Sequence, residues 1–230
     1  MYSNNYRKRM NIEEVIRSIR VDLRTSMDGI VSQSMREKGL GYKLNFGVRI
    51  MRLQQLAKEY DKSAALAEEL WEQETRELKI LATLLYPIDE FEEETAQKWG
   101  QMIPNQEIRE QLSKNILQEL SYANQLVEEW IVAEDESLRT TGYWLLARLI
   151  ISKSPLVAKC NLSGLMDNAV NDATGDDYFL RNAAHSALRF MGRLNGEMVE
   201  VIKNRIKPLV ASDNPLEKEL YESLAFEFDW

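Results

Sequence analysis

One phrase in the second half of this 230-residue sequence is written twice. Ile131-Val-Ala-Glu-Asp-Glu-Ser-Leu-Arg-Thr-Thr-Gly-Tyr-Trp-Leu-Leu-Ala147 returns 78 residues later as Leu209-Val-Ala-Ser-Asp-Asn-Pro-Leu-Glu-Lys-Glu-Leu-Tyr-Glu-Ser-Leu-Ala225. Val132/Val210, Ala133/Ala211, Asp135/Asp213, Leu138/Leu216, Tyr143/Tyr221, Leu146/Leu224 and Ala147/Ala225 are identical. Ala169-Val170 and the stretch from Tyr178 to Leu188 read as a middle copy with a longer turn. That divides the interval into units of roughly 40 residues. Each copy says the same thing physically: a helix ends on small apolar side chains, an acidic turn caps the next helix, and that helix presents Leu, Ala and Leu. A helix pair of this size cannot bury its own apolar face, so neighbouring pairs must stack. The stretch from Leu70 to Leu85 fits more loosely as an earlier copy.

The rest of the chain has the periodicity that stacking requires. After Asn11, an N-cap candidate followed by Glu13 and Glu14, the residues Ile12, Val15, Ile16, Ile19 and Leu23 fall on one helical face. A second helix is predicted over about 28–38, and the three glycines between Gly39 and Gly47 break the pattern. Further helices are predicted near 48–59, 62–72, 75–86, 90–102, 106–118, 121–133, 137–152, 155–171, 178–193, 197–211 and 215–228. Short connections make successive helices antiparallel neighbours. Pro87, Pro104, Pro155 and Pro215 sit at predicted helix ends, whereas Pro208 falls where it would kink a helix. The expected architecture is all-α: a HEAT-like α-solenoid of about six antiparallel helix pairs. It would be one repeat domain over 1–230, with 1–10 a mobile tail, 11–46 N-terminal capping helices and 47–230 the repeats. A concave face would be its working surface.

Composition removes several function classes. The single cysteine, Cys160, cannot form an intrachain disulfide, and a reducing, cytoplasmic setting is expected. The longest apolar stretch, Trp144 to Ile151, is interrupted by Arg148, so no membrane span is expected. The basic N-terminus lacks an apolar stretch of the signal-peptide kind. His185, the one histidine, has no Cys or His at metal spacing, which speaks against zinc and against a Ser-His triad. No phosphate-binding glycine loop or dinucleotide fingerprint occurs, so no cofactor is expected, and the chain is expected to be a monomer. Charge is unevenly spread. Residues 1–58 carry twelve Lys/Arg against five Asp/Glu, a net of +7. Residues 59–136 carry six against twenty, a net of −14, and residues 137–230 eleven against twelve. The total of −8 opposes generic nucleic-acid binding, but the basic first quarter leaves a local binding surface open.

Three phrases point to a family. Gly47-Val-Arg-Ile-Met-Arg-Leu-Gln-Gln-Leu-Ala-Lys58, Glu69-Leu-Trp71 and Arg76-Glu-Leu-Lys-Ile-Leu-Ala82 resemble the DNA alkylation repair family of the AlkD type, most clearly over roughly residues 28–86. The resemblance implies a bacterial HEAT-like solenoid whose active relatives excise alkylated purines from DNA. It also implies a site. Glycosylases of this family carry a Trp and, four residues on, an Asp at the start of a mid-chain helix, with an Arg in the next repeat. Here that helix start is Ile103-Pro-Asn-Gln-Glu-Ile-Arg-Glu-Gln111. The Trp position reads Gln106, the Asp position Glu110, and the Arg position falls at Thr140 with Arg139 beside it. Base excision needs a carboxylate to support the oxocarbenium character developing at the sugar, which Glu110 can supply. Gln106 cannot supply the aromatic face that cradles the lesion. The family's catalytic positions are therefore read as not retained, with Glu110 and Arg139 the catalytic candidates for any remaining activity.

Lys43, Arg49, Arg52, Lys58 and Arg148 are the candidates for contact with a DNA backbone, against the plainer reading of solvated helix-face charge. The Tyr6–Arg9 cluster would join them or form part of the tail. Glu107 and Glu110 are either a remnant acidic site or a first turn favoured by the helix dipole. Arg139 either meets a phosphate or bonds a neighbouring repeat turn. The five tryptophans invite base stacking, but Trp71 and Trp144 sit beside Leu and Ile at core spacing. Cys160 reads as a buried small side chain, and the acidic run from Asp89 to Glu94 as a solvated helix start. Three functions remain: a DNA-binding relative of the glycosylases with lost or altered activity, a protein-interaction scaffold, and an active alkylpurine glycosylase using Glu110 and Arg139.

Overall fold

A computed structural model describes residues 11–37 and 41–230; the predicted tail 1–10, with the Tyr6–Arg9 cluster, and residues 38–40 lie outside the described residues. The first described helix, α1 (Ile12–Thr25), starts at a capping box. The Asn11 side chain accepts from the Glu14 amide at 2.9 Å, and Glu14 accepts from the Asn11 amide at 3.1 Å, so two otherwise orphaned donors are satisfied. Ile19 and Leu23 are buried on the face the spacing marks out. After α2 (Gly29–Glu37) the chain turns at Gly47, whose φ of 70° lies in the left-handed region. A Cβ there would sit 2.2 Å from the Asp28 carbonyl oxygen and 2.7 Å from the Ser32 nitrogen. Gly47 is thus required twice, for its backbone angle and for close approach to α2.

The described residues fall into two compact units, dividing at Leu120/Ser121. The first continues with α3 (Ile50–Ala57), α4 (Ala64–Trp71), α5 (Arg76–Leu85), α6 (Glu93–Gln101) and α7 (Gln106–Asn115). Here α4 packs on α1 and α5, and α5 packs on α3 and α7. An aromatic knot fills this unit. The Trp71 and Trp99 rings stack with centroids 4.1 Å apart, and Tyr86 and Phe91 meet Trp99 edge-on. Core packing, not base stacking, therefore accounts for Trp71, as the spacing predicts.

The second unit is built from α8 (Ala123–Ile131), α9 (Glu136–Ile151), α10 (Leu162–Asp172), α11 (Tyr178–Gly192), α12 (Gly196–Ile206) and α13 (Pro215–Phe228). These form the hairpins α8/α9, α10/α11 and α12/α13. The first helices of the hairpins pack in one row, α8 on α10 on α12, and the second helices in another, α9 on α11 on α13. Gly142 permits close approach of α9 to α8, since a Cβ there would meet Ile131 at 3.0 Å and Trp130 at 3.1 Å. Trp130 is buried, while Trp144, expected in the core, is half-buried. Cys160 is also half-buried, and burial, reinforced by the Glu128 charge, pushes its thiol up to about 11, away from thiolate chemistry at neutral pH.

In the second unit two predicted helices are divided. Over 155–171, Ser154 and Pro155 open a short 3₁₀ turn (Pro155–Lys159), and α10 starts afresh where Asn161 accepts from the Gly164 amide. Over 197–211, Pro208 supplies no amide for the α ladder, so α12 ends at Ile206 and a 3₁₀ turn (Lys207–Ala211) follows. No described helix is long and apolar enough to cross a membrane. Gly47→Ala is expected to lower stability by about 2 kcal/mol or more, from the left-handed φ and the clash with Asp28; urea unfolding of the two proteins side by side measures it.

Candidate functional site

Helix α5 opens with Arg76 and Glu77 and continues as an apolar helix between α3, α4 and α7, so both charges are carried inside. Arg76 is 1% exposed and Glu77 fully buried. Unpaired charges there would cost several kcal/mol each. The structure pairs them completely. Arg76 Nη1 donates to Glu77 at 2.9 Å and to the Val48 carbonyl at 2.8 Å. Its Nε and Nη2 form a two-pronged bond with the Glu107 carboxylate at 2.8 and 2.6 Å. Glu77 accepts from the Phe46 and Val48 amides at 3.0 and 3.2 Å, on either side of Gly47. Tyr42 donates its hydroxyl proton to Glu107, and the Asn105 side chain lies 3.1 Å from the same oxygen. Burial disfavours the Arg76 charge, but the hydrogen bonds and charges of Glu107 and then Glu77 outweigh it and leave the guanidinium held more firmly protonated than in water. Burial likewise works against the Glu107 carboxylate, yet hydrogen bonds from Arg76 and Tyr42 bring it below the usual range. Burial and then Glu107 push the Tyr42 hydroxyl well above the ordinary tyrosine value, so it stays a donor.

The predicted catalytic helix start is the start of α7. Asn105 caps it, accepting from the Ile108 amide at 3.2 Å. Gln106 is its first residue; it donates to Glu110 at 3.1 Å and accepts from Arg109 at 2.8 Å. Gln106, Arg109 and Glu110 are thus brought together, and Glu110 is exposed. Of the acidic pair, Glu107 is spent on Arg76 and Tyr42, leaving Glu110 as the carboxylate that faces water.

In the second unit, Arg139 donates to the carbonyls of Ala133 and Glu134 at 3.0 and 3.2 Å and pairs with Asp172 at 3.2 Å. Asp172 also accepts from the Tyr143 hydroxyl at 2.8 Å, and burial, then the Asp172 charge, holds that hydroxyl protonated. Thr140 is 2% exposed and donates to the Glu136 carbonyl of its own helix. Arg181 repeats the Arg139 arrangement, donating to the Gly175 and Asp176 carbonyls at 2.7 and 3.0 Å. Each arginine follows by four residues the Asp that caps its helix, Asp135 or Asp177. The turn-bonding reading of Arg139 therefore describes its contacts.

Among the DNA-contact candidates, Arg49 and Lys58 flank α3 and are exposed. Arg52 donates to Ser26 at 3.3 Å and lies 4.0 Å from Glu59. Lys43 is exposed and paired with Glu74, and Arg148 is half-buried in the last turn of α9. Sequence reasoning missed the Arg76–Glu77–Glu107–Tyr42 cluster and the Asp172 pair. The available signal for the first was an Arg-Glu dipeptide leading directly into an apolar helix. The described residues hold no group of three His, Cys, Asp or Glu able to bind a metal ion.

Comparison with known proteins bears on this arrangement. The family described as DNA alkylation repair enzyme matches residues 23–202. A solved structure described as "a new family of proteins related to the HEAT-like repeat DNA glycosylases with affinity for branched DNA structures" is 18% identical, with a TM-score of 0.69 over 96% of this chain and 94% of that one. At that identity the likeness is one of fold, and it agrees with the all-helical, HEAT-like architecture expected from the repeats. No match was found among curated proteins.

The cluster gives a pH signature. Because Glu107 is more acidic folded than unfolded, the stability it contributes is present above the unfolded value near 4.3 and is lost as pH falls through the lower folded value. Glu107→Gln is expected to cost about 3 kcal/mol at pH 7 and to flatten the stability decline below about pH 4.5. Thermal melts of both proteins from pH 3 to 7 check it.

Proposed function

The chain belongs to the DNA alkylation repair enzyme family, and from that premise we propose that it is a DNA-binding member with lost or altered base-excision chemistry. The observation that carries the binding half is the set of exposed cations on the first helices, Arg24 on α1 with Arg49 and Lys58 at the two ends of α3. They lie in the quarter of the chain with a net charge of +7. Phosphate neutralisation by such groups supplies most non-specific DNA affinity. The solved relative's affinity for branched DNA makes a branched duplex the ligand to try first.

The chemical half rests on α7 and α9. Gln106 stands where the family's glycosylases carry Trp, and its amide is engaged with Glu110 and Arg109. Thr140, at the Arg position, is buried and bonded to its own helix, and the neighbouring Arg139 is held by repeat-turn carbonyls. Glu110 alone is a weak catalyst for base departure, because the lesion has no aromatic cradle to hold it in place. A second reading, a protein scaffold, is favoured by the exposed acids Asp89, Glu90, Glu92, Glu93 and Glu94, which suit a basic partner.

Fluorescence anisotropy with a short duplex and a four-way junction, at low and moderate salt, tests the binding half. Sub-micromolar affinity that falls steeply with salt is expected, and the Arg49→Glu/Lys58→Glu variant should bind roughly tenfold more weakly. Absence of binding at low salt overturns the proposal and moves the search to protein partners. No base release from methylated DNA is expected; release that Glu110→Gln abolishes would establish the active-glycosylase reading instead.

A further inference from the structure

The turn between α1 and α2, the first turn of α2 and the first turn of α3 carry apolar side chains that enter no core. Ile30 is 84% exposed, Met51 73% and Met27 59%. Single exposed apolar residues need no explanation, but these belong to two segments laid together. The Asp28 amide donates to the Phe46 carbonyl at 3.0 Å, the Asp28 carbonyl lies against Gly47, and Arg52 donates to Ser26. Arginines accompany all three: Arg24 and Arg49 are exposed, and Arg52 is partly so. Two acids lie near them: Glu59, 4.0 Å from Arg52, and Asp28, which is engaged as the cap of α2. Its carboxylate accepts from the Ile30 and Val31 amides at 3.1 and 3.0 Å, which also closes the N-terminus of α2 to phosphate.

We propose that Ile30, Met51 and Met27 form a wedge that inserts into an opened base step of duplex DNA, with Arg24, Arg49 and Arg52 on the flanking phosphates. The inference rests on the DNA-binding reading above and adds what the bound DNA must do. Slim apolar side chains of this kind enter partly unstacked base steps, where they exchange water for base faces. The cost is unstacking, and it is least where the helix is already interrupted. Charge complementarity selects the occupant: guanidinium groups beside an apolar tip match phosphates beside base faces. An acidic protein surface would satisfy the arginines and leave Ile30 and Met51 in water.

The experiment uses the full chain, an intact duplex and a matched duplex with a one-nucleotide gap, each carrying one 2-aminopurine beside the test step. Ile30 and Met51 are exposed, so Ile30→Ser/Met51→Ser should fold and melt as the parent does. The parent is expected to bind the gapped duplex about tenfold more tightly than the intact one and to raise 2-aminopurine fluorescence as the base unstacks. The serine variant should bind both duplexes with the parent's intact-duplex affinity and leave the fluorescence flat, while Ile30→Leu/Met51→Leu restores both effects. Arg49→Glu should weaken both duplexes alike. A serine variant that keeps the gap preference, or a parent that binds without any fluorescence rise, overturns the wedge and leaves DNA binding standing. A parent that binds neither duplex overturns both.

Discussion

Arg76 is the constraint that the first unit is organised around. A guanidinium cannot be discharged to escape burial, so the fold must bring it partners from three directions. It does so with Glu77 from its own helix, the Val48 carbonyl from the turn after Gly47, and Glu107 from α7. Glu77 in turn gathers the two amides that flank Gly47, and Tyr42 closes over Glu107. One buried cation therefore ties the 42–48 segment, α5 and α7 into a single arrangement. Such a network adds little net stability over an apolar equivalent, since desolvation consumes most of the attraction. It penalises alternatives, however. A slip of α7 by one residue would strip Arg76 of its two-pronged partner and leave a charge stranded at 1% exposure. The network fixes the register of the first unit, whereas the Trp71–Trp99 stack supplies its cohesion.

The second unit uses a different device, repeated. Asp135 and Asp177 each cap a helix through the amide three residues on, and Arg139 and Arg181 each reach back over the preceding turn from four residues on. The same spacing recurs at Asn105 and Arg109 in the first unit, although there Arg109 bonds the Gln106 side chain. Between Asp135 and Asp177 the period is 42 residues, and it carries further than the turn. His185 lies 42 residues beyond Tyr143, and each faces a polar group on a later helix: Tyr143 meets Asp172 at 2.8 Å and His185 meets Ser223 at 3.0 Å. A cap, a turn-bonding cation and one polar contact thus mark, in the first two hairpins, where the second helix begins and which neighbour it meets. This is also why an arginine at position 139 suits the fold whatever it does for function.

The helices were legible in the sequence because they obey local rules. The Asn11 capping box, the face of Ile19 and Leu23, the Gly47 turn and the caps of α9 and α11 each follow from residues within four positions of one another. The repeat was legible for the same reason, though one residue out of register in its last copy: Asp213 aligns with Asp135, but Asn214 caps α13. What stayed illegible depends on partners far away in the chain. Arg76 and Glu77 look like an ordinary charged helix start, and their burial follows from α7 arriving about thirty residues later. The two acids of α7 look equivalent on paper. Only packing assigns Glu107 to Arg76 and leaves Glu110 to solvent.

That assignment also bears on how a chain with a net charge of −8 could bind DNA. At physiological ionic strength charges are screened over about 8 Å, so a phosphate responds to nearby side chains and not to the molecular total. Many of the acids are spent locally. Glu77 and Glu107 share Arg76, Glu74 pairs with Lys43, Glu68 and Glu72 share Lys98, and Asp172 pairs with Arg139. The exposed acids Asp89, Glu90, Glu92, Glu93 and Glu94 follow α5 and lie outside the segments that carry Arg24, Arg49 and Arg52. A surface of this kind would lose long-range steering, because the overall field repels DNA, yet keep short-range affinity once a phosphate reaches the arginines. Weak steering with local capture favours ligands that offer something beyond charge, and exposed base faces at an interrupted helix are the feature a uniform duplex lacks.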